Sequence, residues 1–83
     1  MRRGCVVLCT AGRDKGRLMA VTACEPDGRV WTADGRRRRV EHAKCRNPRH
    51  VTATGCSVPE ASMATNRELR RALAAMPAHT DIT

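Results

Sequence analysis

The chain has no phenylalanine, no tyrosine and a single tryptophan, Trp31, among its 83 residues. Its core must therefore be built from valine, leucine, alanine, methionine and cysteine, and such a core is thin. A chain of this length forms one domain at most and buries about 60% of its unfolded surface. The shortage of aromatic side chains also disfavours a groove of the kind that holds proline-rich peptides.

The sequence has no apolar run that is long enough to cross a bilayer. Residues 1–3 and the apolar residues after them imitate the start of a signal peptide, but Arg13 and Asp14 interrupt this short stretch. We therefore expect a cytoplasmic protein with no membrane partner and no small-molecule substrate.

The cysteines are odd in number and form no C-x-x-C pair; they are Cys5, Cys9, Cys24, Cys45 and Cys56. A secreted disulfide scaffold would more often show an even count. The spacing of the last two, with His42 and His50 nearby, matches no usual zinc ligand pair. No residue is positioned to orient a base for a cysteine nucleophile. We expect reduced thiols, no metal, no cofactor and no enzymatic activity.

Positive charge is abundant and unevenly placed, and the formal net charge is +8. Residues 1–50 carry thirteen Arg or Lys and five acids, whereas residues 51–83 carry three of each. A field of this sign favours nucleic acid or an anionic membrane surface. The first half is therefore the candidate binding half.

Alternation and turn residues predict four short strands in the basic half, at Cys5–Cys9, 17–25, 29–33 and 36–41. Gly12 and Gly16 bracket a polar turn between the first two strands. Residues 26–28, Pro-Asp-Gly, turn the chain again, and the Asp34-Gly35 pair is a strong hairpin signal before the fourth strand. Short strands at close spacing predict a small barrel.

The second half has one clear element. Residues 43–59 show no period, and Pro48 and Pro59 argue against a continuous strand or helix there. Thr65 and Glu68 form a capping box that predicts a helix over residues 66–76, ended by Pro77. Its apolar stripe is expected to pack on the barrel. The predicted organisation is a barrel at 4–51, a linker at 52–64, a helix at 65–77 and a tail at 78–83.

Several motifs resemble the bacterial KOW-domain RNA-binding proteins, relatives of the KOW-containing large-subunit ribosomal proteins of archaea and eukaryotes. The motifs are GCVV at 4–7, AGRDKGR at 11–17, ADG at 33–35 with the basic residues after it, NPRHV at 47–51 and TNRELRRAL at 65–73. The resemblance covers about residues 4–76. It departs at residues 42–46, HAKCR, where the family usually has Pro-Lys-Lys-Lys.

This resemblance implies a mainly β protein, an SH3-like barrel with a short C-terminal α-helix. It also implies binding of ribosomal or other structured RNA, in a ribosome or another ribonucleoprotein, with ribosomal proteins as further partners. Fold alone does not establish function, but the placement of charge supports this one. The alternative is an SH3-like protein-interaction module of the translation or transcription machinery.

The predicted RNA-binding residues are Arg13, Lys15, Arg17, Arg36, Arg37, Arg38, Arg39, Lys44, Arg46 and Arg49. Glycines allow a backbone to approach phosphate, and arginine suits bidentate phosphate contact. The alternatives are a solvated turn for the first three and a charged edge strand for residues 36–39. Strand parity, set by Val40, predicts that Arg37 and Arg39 matter most.

Two further residue sets complete the prediction. Trp31 either stacks on an unpaired base or packs into the core, and packing is the commoner role of a strand tryptophan. The arginines of the helix are expected to matter less for binding, because the second half of the chain is locally neutral.

Overall fold

The computed structural model describes residues 1–76 and places a helix against one antiparallel sheet. The strands are β1 (Cys5–Cys9), β2 (Leu18–Cys24), β3 (Val30–Ala33), β4 (Lys44–Arg46) and β5 (Val51–Ser57), and the helix is α1 (Asn66–Ala74). The strand order is β4-β3-β2-β1-β5, so the last strand returns beside the first. The prediction of a mainly β protein with a short C-terminal helix is confirmed. Among the described residues the sheet is open, with β4 and β5 at its edges.

The first three strands lie within one residue of their predicted bounds. In β1, successive side chains point to opposite faces, and both Val6 and Val7 are fully buried. They pair with Ala20 and Met19 of β2, which are fully buried as well. Both faces of the sheet therefore carry core residues, and irregularities of register in β1 and β2 bend it.

Each face of the sheet has its own apolar cluster. The first cluster joins the sheet to the helix: Val6 and Ala20 pack with Leu69 and Leu73 of α1. This contact confirms that the helical stripe packs on the sheet. The second cluster, on the other face, consists of Val7, Cys9, Met19, Val21, Val30 and Val51. The core is built without aromatic residues, as the composition predicts.

Helix α1 begins where the sequence predicts. The side-chain oxygen of Thr65 accepts a hydrogen bond from the backbone N–H of Glu68 at 3.1 Å, which satisfies a free donor of the first turn. The helix ends at Ala74, two residues before the predicted end. The predicted stop at Pro77 and the tail at 78–83 lie outside the described residues. Within residues 1–76 no helix is both long and apolar enough to span a membrane.

The prediction of a fourth strand at 36–41 is wrong. Residues 35–38 form a bend, a 3-10 turn follows at Val40–His42, and β4 begins at Lys44. A strand there would point arginines at both faces of a sheet whose two faces are apolar. Instead, Oδ1 of Asp34 accepts hydrogen bonds from the backbone N–H groups of Arg36 at 2.9 Å and Arg38 at 2.8 Å. These bonds hold the backbone in a turn.

Residues 43–59, in which the sequence shows no period, hold no continuous strand but contain the two short strands β4 and β5. Strand β5 pairs with β1 through Cys9 and Val51, so residues 52–57 of the segment predicted as a linker belong to the sheet. Pro48 lies in a 3-10 turn before β5, and Pro59 follows its end. The prolines bound the strand and do not interrupt it.

Candidate nucleic-acid interface

Two basic loops meet at one place on the surface. The glycine loop, residues 10–17, joins β1 to β2, and the arginine loop, residues 34–39, follows β3. The glycine loop is closed by backbone hydrogen bonds from Gly16 to Cys9 at 2.8 Å and from Cys9 to Arg17 at 2.9 Å. Gly16 has φ of +88°, a conformation that glycine adopts without strain. The two loops are joined through aspartates.

Asp14 of the glycine loop is the centre of this junction and has no exposed surface. Its Oδ2 accepts a hydrogen bond from Nε of Arg38 at 2.9 Å and another from Nη2 of Arg46. Nε of Arg37 lies 3.0 Å from Oδ1 as an ion pair, and that oxygen accepts no hydrogen bond from residues 1–76. One buried carboxylate therefore holds three guanidinium groups, and the cluster keeps a net positive charge.

The pKa of Asp14 reflects two opposing effects. Burial alone would raise it, because a low-dielectric site disfavours the charged carboxylate. The hydrogen bonds and the positive charges of Arg38 and Arg46 together outweigh the effect of burial, so the pKa of Asp14 lies below its ordinary value. Asp14 is therefore ionised at neutral pH and pairs with the arginines throughout the physiological range.

Arg46 is the one predicted RNA-binding residue that lies in the interior. It is only 6% exposed, its Nε donates to Oγ1 of Thr32 at 2.7 Å, and Nη2 lies 3.7 Å from the sulfur of Met19. In β4 it pairs with Val30, so its side chain lies on the sheet face that carries the second apolar cluster. Arg46 is the internal counter-ion of Asp14, so its assignment to the RNA-contacting surface is wrong.

Arg37 and Arg38 present only one nitrogen each to Asp14. Both use Nε, and their side chains remain 42% and 27% exposed. Their Nη atoms donate no hydrogen bond within the described part of the chain, so the outer edge of each guanidinium is available to a solvent anion. The parity argument that favoured Arg37 and Arg39 does not apply, because these residues lie in a loop.

The remaining predicted contacts are on the surface. Arg17 has Nη1 3.8 Å from Oδ2 of Asp34, whose carboxylate is nearly buried. The other six side chains form no ion pair with a carboxylate of residues 1–76; they are Arg13, Lys15, Arg36, Arg39, Lys44 and Arg49. The turn that carries Arg49 is tied to the base of the glycine loop, because Thr10 N–H donates to the carbonyl of His50 at 2.9 Å.

Helix α1 adds a cation that the sequence interpretation gave little weight. Nη1 of Arg70 donates to the carbonyl of Gly35 at 2.9 Å. Gly35 has φ of +79°, and a Cβ there would lie 2.3 Å from the carbonyl oxygen of Asn66. The arginine loop therefore packs tightly on the helix, with an open groove of about 310 Å³ beside the contact. The sequence interpretation gave Arg70 little weight because it counted charges along the chain, and such a count does not show that the fold brings Arg70 beside the arginine loop.

Trp31 lies apart from this junction. Its ring is half-buried, and its Nε1 donates to Oε2 of Glu25 at 2.8 Å. It borders a shallow groove with Val40 and His42, on the face opposite its neighbours in β3. The hydrogen bond to Glu25 orients the indole ring. Base stacking by Trp31 stays a prediction.

Within the described residues no group of three or more His, Cys, Asp or Glu side chains is placed to hold a metal ion. All five cysteines have free thiols, and burial raises the pKa of the Cys9 thiol. A thiol of this kind behaves as a small apolar core residue.

Comparison with known proteins yields no relative from which a function could be transferred. The resemblance to KOW-domain proteins therefore rests on the motifs within residues 4–76. No protein-family model matches this chain, and no curated protein matches it.

Proposed function

We propose that this chain is a cytoplasmic RNA-binding module of the ribosome or another ribonucleoprotein, which holds RNA phosphates between the glycine loop and the arginine loop. The observation that carries the proposal is the arrangement around Asp14. Arg37 and Arg38 are fixed through Nε and keep their outer nitrogens free. That edge of a guanidinium is suited to bidentate contact with a phosphate.

The fixed position of these arginines favours binding for an entropic reason. A flexible arginine loses rotamer freedom when it contacts a phosphate, and this loss weakens association. Arg37 and Arg38 have already lost much of this freedom in the free protein, because Asp14 holds them. The unpaired cations around them supply a wider field that attracts a polyanion and displaces its counterions.

Structured RNA fits this surface better than duplex DNA. Proteins commonly read the DNA major groove by inserting a helix or a β-ribbon. Here α1 packs on the sheet through Leu69 and Leu73, and the cations lie on loops. Irregular cationic loops suit the bulges, loops and phosphate turns of folded RNA.

We also propose that the sheet has the SH3-like barrel form that the motifs imply. The helix covers one face of the sheet, yet Val7, Met19 and Val21 on the other face are fully buried. Curvature of the sheet itself accounts for this burial, and the register irregularities in β1 and β2 supply curvature. The pairing of β5 with β1 places the last strand of the chain beside the first, as a small barrel requires.

The alternative, a protein-interaction module, has less support. Among the described residues Met1 is the only large apolar side chain that is exposed. A peptide-binding surface would need an apolar patch or aromatic groove to contribute affinity.

The test is an RNA titration at several salt concentrations. With about five phosphate contacts, each adding 0.7–0.9 to the log–log slope, a fourfold rise in salt should weaken binding by about two to three decades. The variant R36Q/R39Q removes two exposed cations and should lower the slope by about 1.4–1.8. The control R67Q/R71Q removes the same charge from the helix and should keep the wild-type slope. A flat salt response, or a larger loss in the control, would overturn the proposal.

A further inference from the structure

A groove lies between the arginine loop and α1, and cations from three separate elements border it. Arg17 precedes β2, Arg36 belongs to the arginine loop, and Arg70 belongs to the helix. The groove is open, has a volume of about 310 Å³, and is also lined by Leu18, which is half-buried, and by Leu73, which is almost buried. A volume of this size is at the lower end of small-ligand sites.

Two of the three arginines at the groove have a partner that holds them, and the positive charge of the groove is not neutralised. Arg17 is oriented by Asp34, with 3.8 Å between Nη1 and Oδ2. Arg70 donates one nitrogen, Nη1, to the carbonyl of Gly35 at 2.9 Å. Arg36 has no carboxylate partner within residues 1–76. Three guanidinium groups therefore face a single aspartate, and the groove has a net positive charge.

This combination selects an occupant with two parts. An anionic group is needed to meet Arg17 and Arg36, and a flat, weakly polar group is needed to cover the exposed part of Leu18. A nucleotide has both parts, because its phosphate is anionic and its base has an apolar face. Unpaired bases of RNA stack on arginine planes and apolar side chains, whereas paired bases keep their faces within the helix.

We propose that this groove holds one unpaired nucleotide of the bound RNA. Its phosphate lies between Arg17 and Arg36, and its base lies on Leu18, Leu73 and the guanidinium of Arg70. This inference rests on the proposed RNA-binding function and deepens it. It makes the module selective for RNA with an unpaired nucleotide, and it gives α1 a direct part in recognition, contrary to the expectation from charge counting.

The test compares two RNAs with equal numbers of phosphates, a fully paired stem and a shorter stem that carries an unpaired loop or bulge. Wild type should prefer the RNA with unpaired nucleotides by about tenfold, the scale of one charged hydrogen-bonded contact. R70Q should lose most of this preference. R71Q, which changes the neighbouring exposed arginine on the solvent side of the helix, should keep it. Melting temperatures of all variants show whether the fold is retained.

A conservative variant separates stacking from charge. In R70K the charge and a donor for the Gly35 carbonyl remain, but the planar group is lost. R70K should therefore keep the salt dependence of wild type and lose the preference for unpaired RNA. Methyl NMR signals of Leu18 and Leu73 give a direct readout, because they should shift with the bulged RNA and not with the paired stem.

The outcomes distinguish this inference from the proposed function. If both RNAs bind with a steep salt dependence, but R70Q keeps the preference and the methyl signals stay in place, the groove assignment fails and RNA binding stands. If neither RNA binds, both fail. If an acidic peptide of equal charge shifts the same methyl signals as strongly as the bulged RNA, the occupant has been misassigned.

Discussion

Nε of Arg38 lies 2.9 Å from Oδ2 of Asp14, a carboxylate with no exposed surface. This contact ties the arginine loop to the glycine loop, although 24 residues separate the two positions. Arg46 meets the same oxygen from inside the protein. Asp14 thus has two roles, because it compensates a buried cation and orients two surface cations toward solvent.

The first prediction concerns the removal of the charge of Asp14. D14N should lower the free energy of unfolding by about 3–5 kcal/mol, because it leaves Arg46 buried without a counter-charge. Chemical denaturation measures this loss. D27N is the matched control: Asp27 is exposed and pairs with Arg29 in a surface turn, so its change should be much smaller. Equal losses in the two variants would show that the Asp14 pair is not buried in solution.

The second prediction concerns removal of both buried charges. The variant D14N/R46M has neither the carboxylate nor the internal guanidinium, so no buried charge remains unpaired. It should be more stable than D14N alone, because D14N leaves Arg46 buried without a counter-charge and the double variant does not. Denaturation of D14N, R46M and the double variant forms a double-mutant cycle that gives the coupling energy. A double variant whose loss equals the sum of the single losses would contradict the pairing.

The third prediction concerns pH. The pKa of Asp14 is lower in the folded protein than its ordinary value, which is about 3.9 in an unfolded chain. Its contribution to stability is therefore complete above that value and is lost as the pH falls through the lower, folded pKa. The carboxyl carbon signal of Asp14 should titrate below the ordinary aspartate value, and unfolding free energies measured in parallel should fall as the signal titrates. A midpoint above the ordinary aspartate value would show that burial outweighs the arginines.

Local signals in the sequence predicted the parts of the fold that depend on neighbouring residues. Alternation located β1, and the Thr65 side chain marked the start of α1. The junction could not be found in this way. Asp14 and Arg46 are 32 residues apart, and charged residues in a basic loop and strand are normally solvated. The pairing that buries them exists only after the sheet has formed.

The failure to predict strand β5 from the sequence has a different cause. Strand β5 has the sequence VTATGCS, whose Val and Thr residues favour a strand, but Gly55 interrupts the pattern and Pro48 and Pro59 flank it. Its position is set by pairing with β1, as in Val7 opposite Ala53. The Asp34-Gly35 pair predicted a two-residue hairpin turn followed by a strand. Instead, the side chain of Asp34 accepts hydrogen bonds from the backbone of a longer loop.

The fourth prediction concerns Gly35, with Gly12 as its control. Both glycines have φ of +79°, so alanine should cost the same dihedral strain at each, about 1–2 kcal/mol. At Gly12 nothing lies within 4 Å of the added Cβ, whereas at Gly35 the Cβ would lie 2.3 Å from the Asn66 carbonyl oxygen. G35A should therefore lose clearly more unfolding free energy than G12A. Equal losses would mean that the arginine loop moves away from α1 at no cost.

The fifth prediction tests whether the outer nitrogens of Arg38 contact RNA. Lysine carries its three donors on one nitrogen and lacks the planar guanidinium, so in R38K a nitrogen that contacts the buried Asp14 cannot also reach a phosphate at the surface. We expect it to stay with the buried carboxylate, and the log–log salt slope of RNA binding should fall by about 0.7–0.9, one phosphate contact. R39K is the control, because Arg39 is exposed and has no carboxylate partner within residues 1–76, so its lysine remains free to neutralise a phosphate. If R38K and R39K both keep the wild-type slope, Arg38 only ties the two loops together and the phosphates are held by the exposed cations around it.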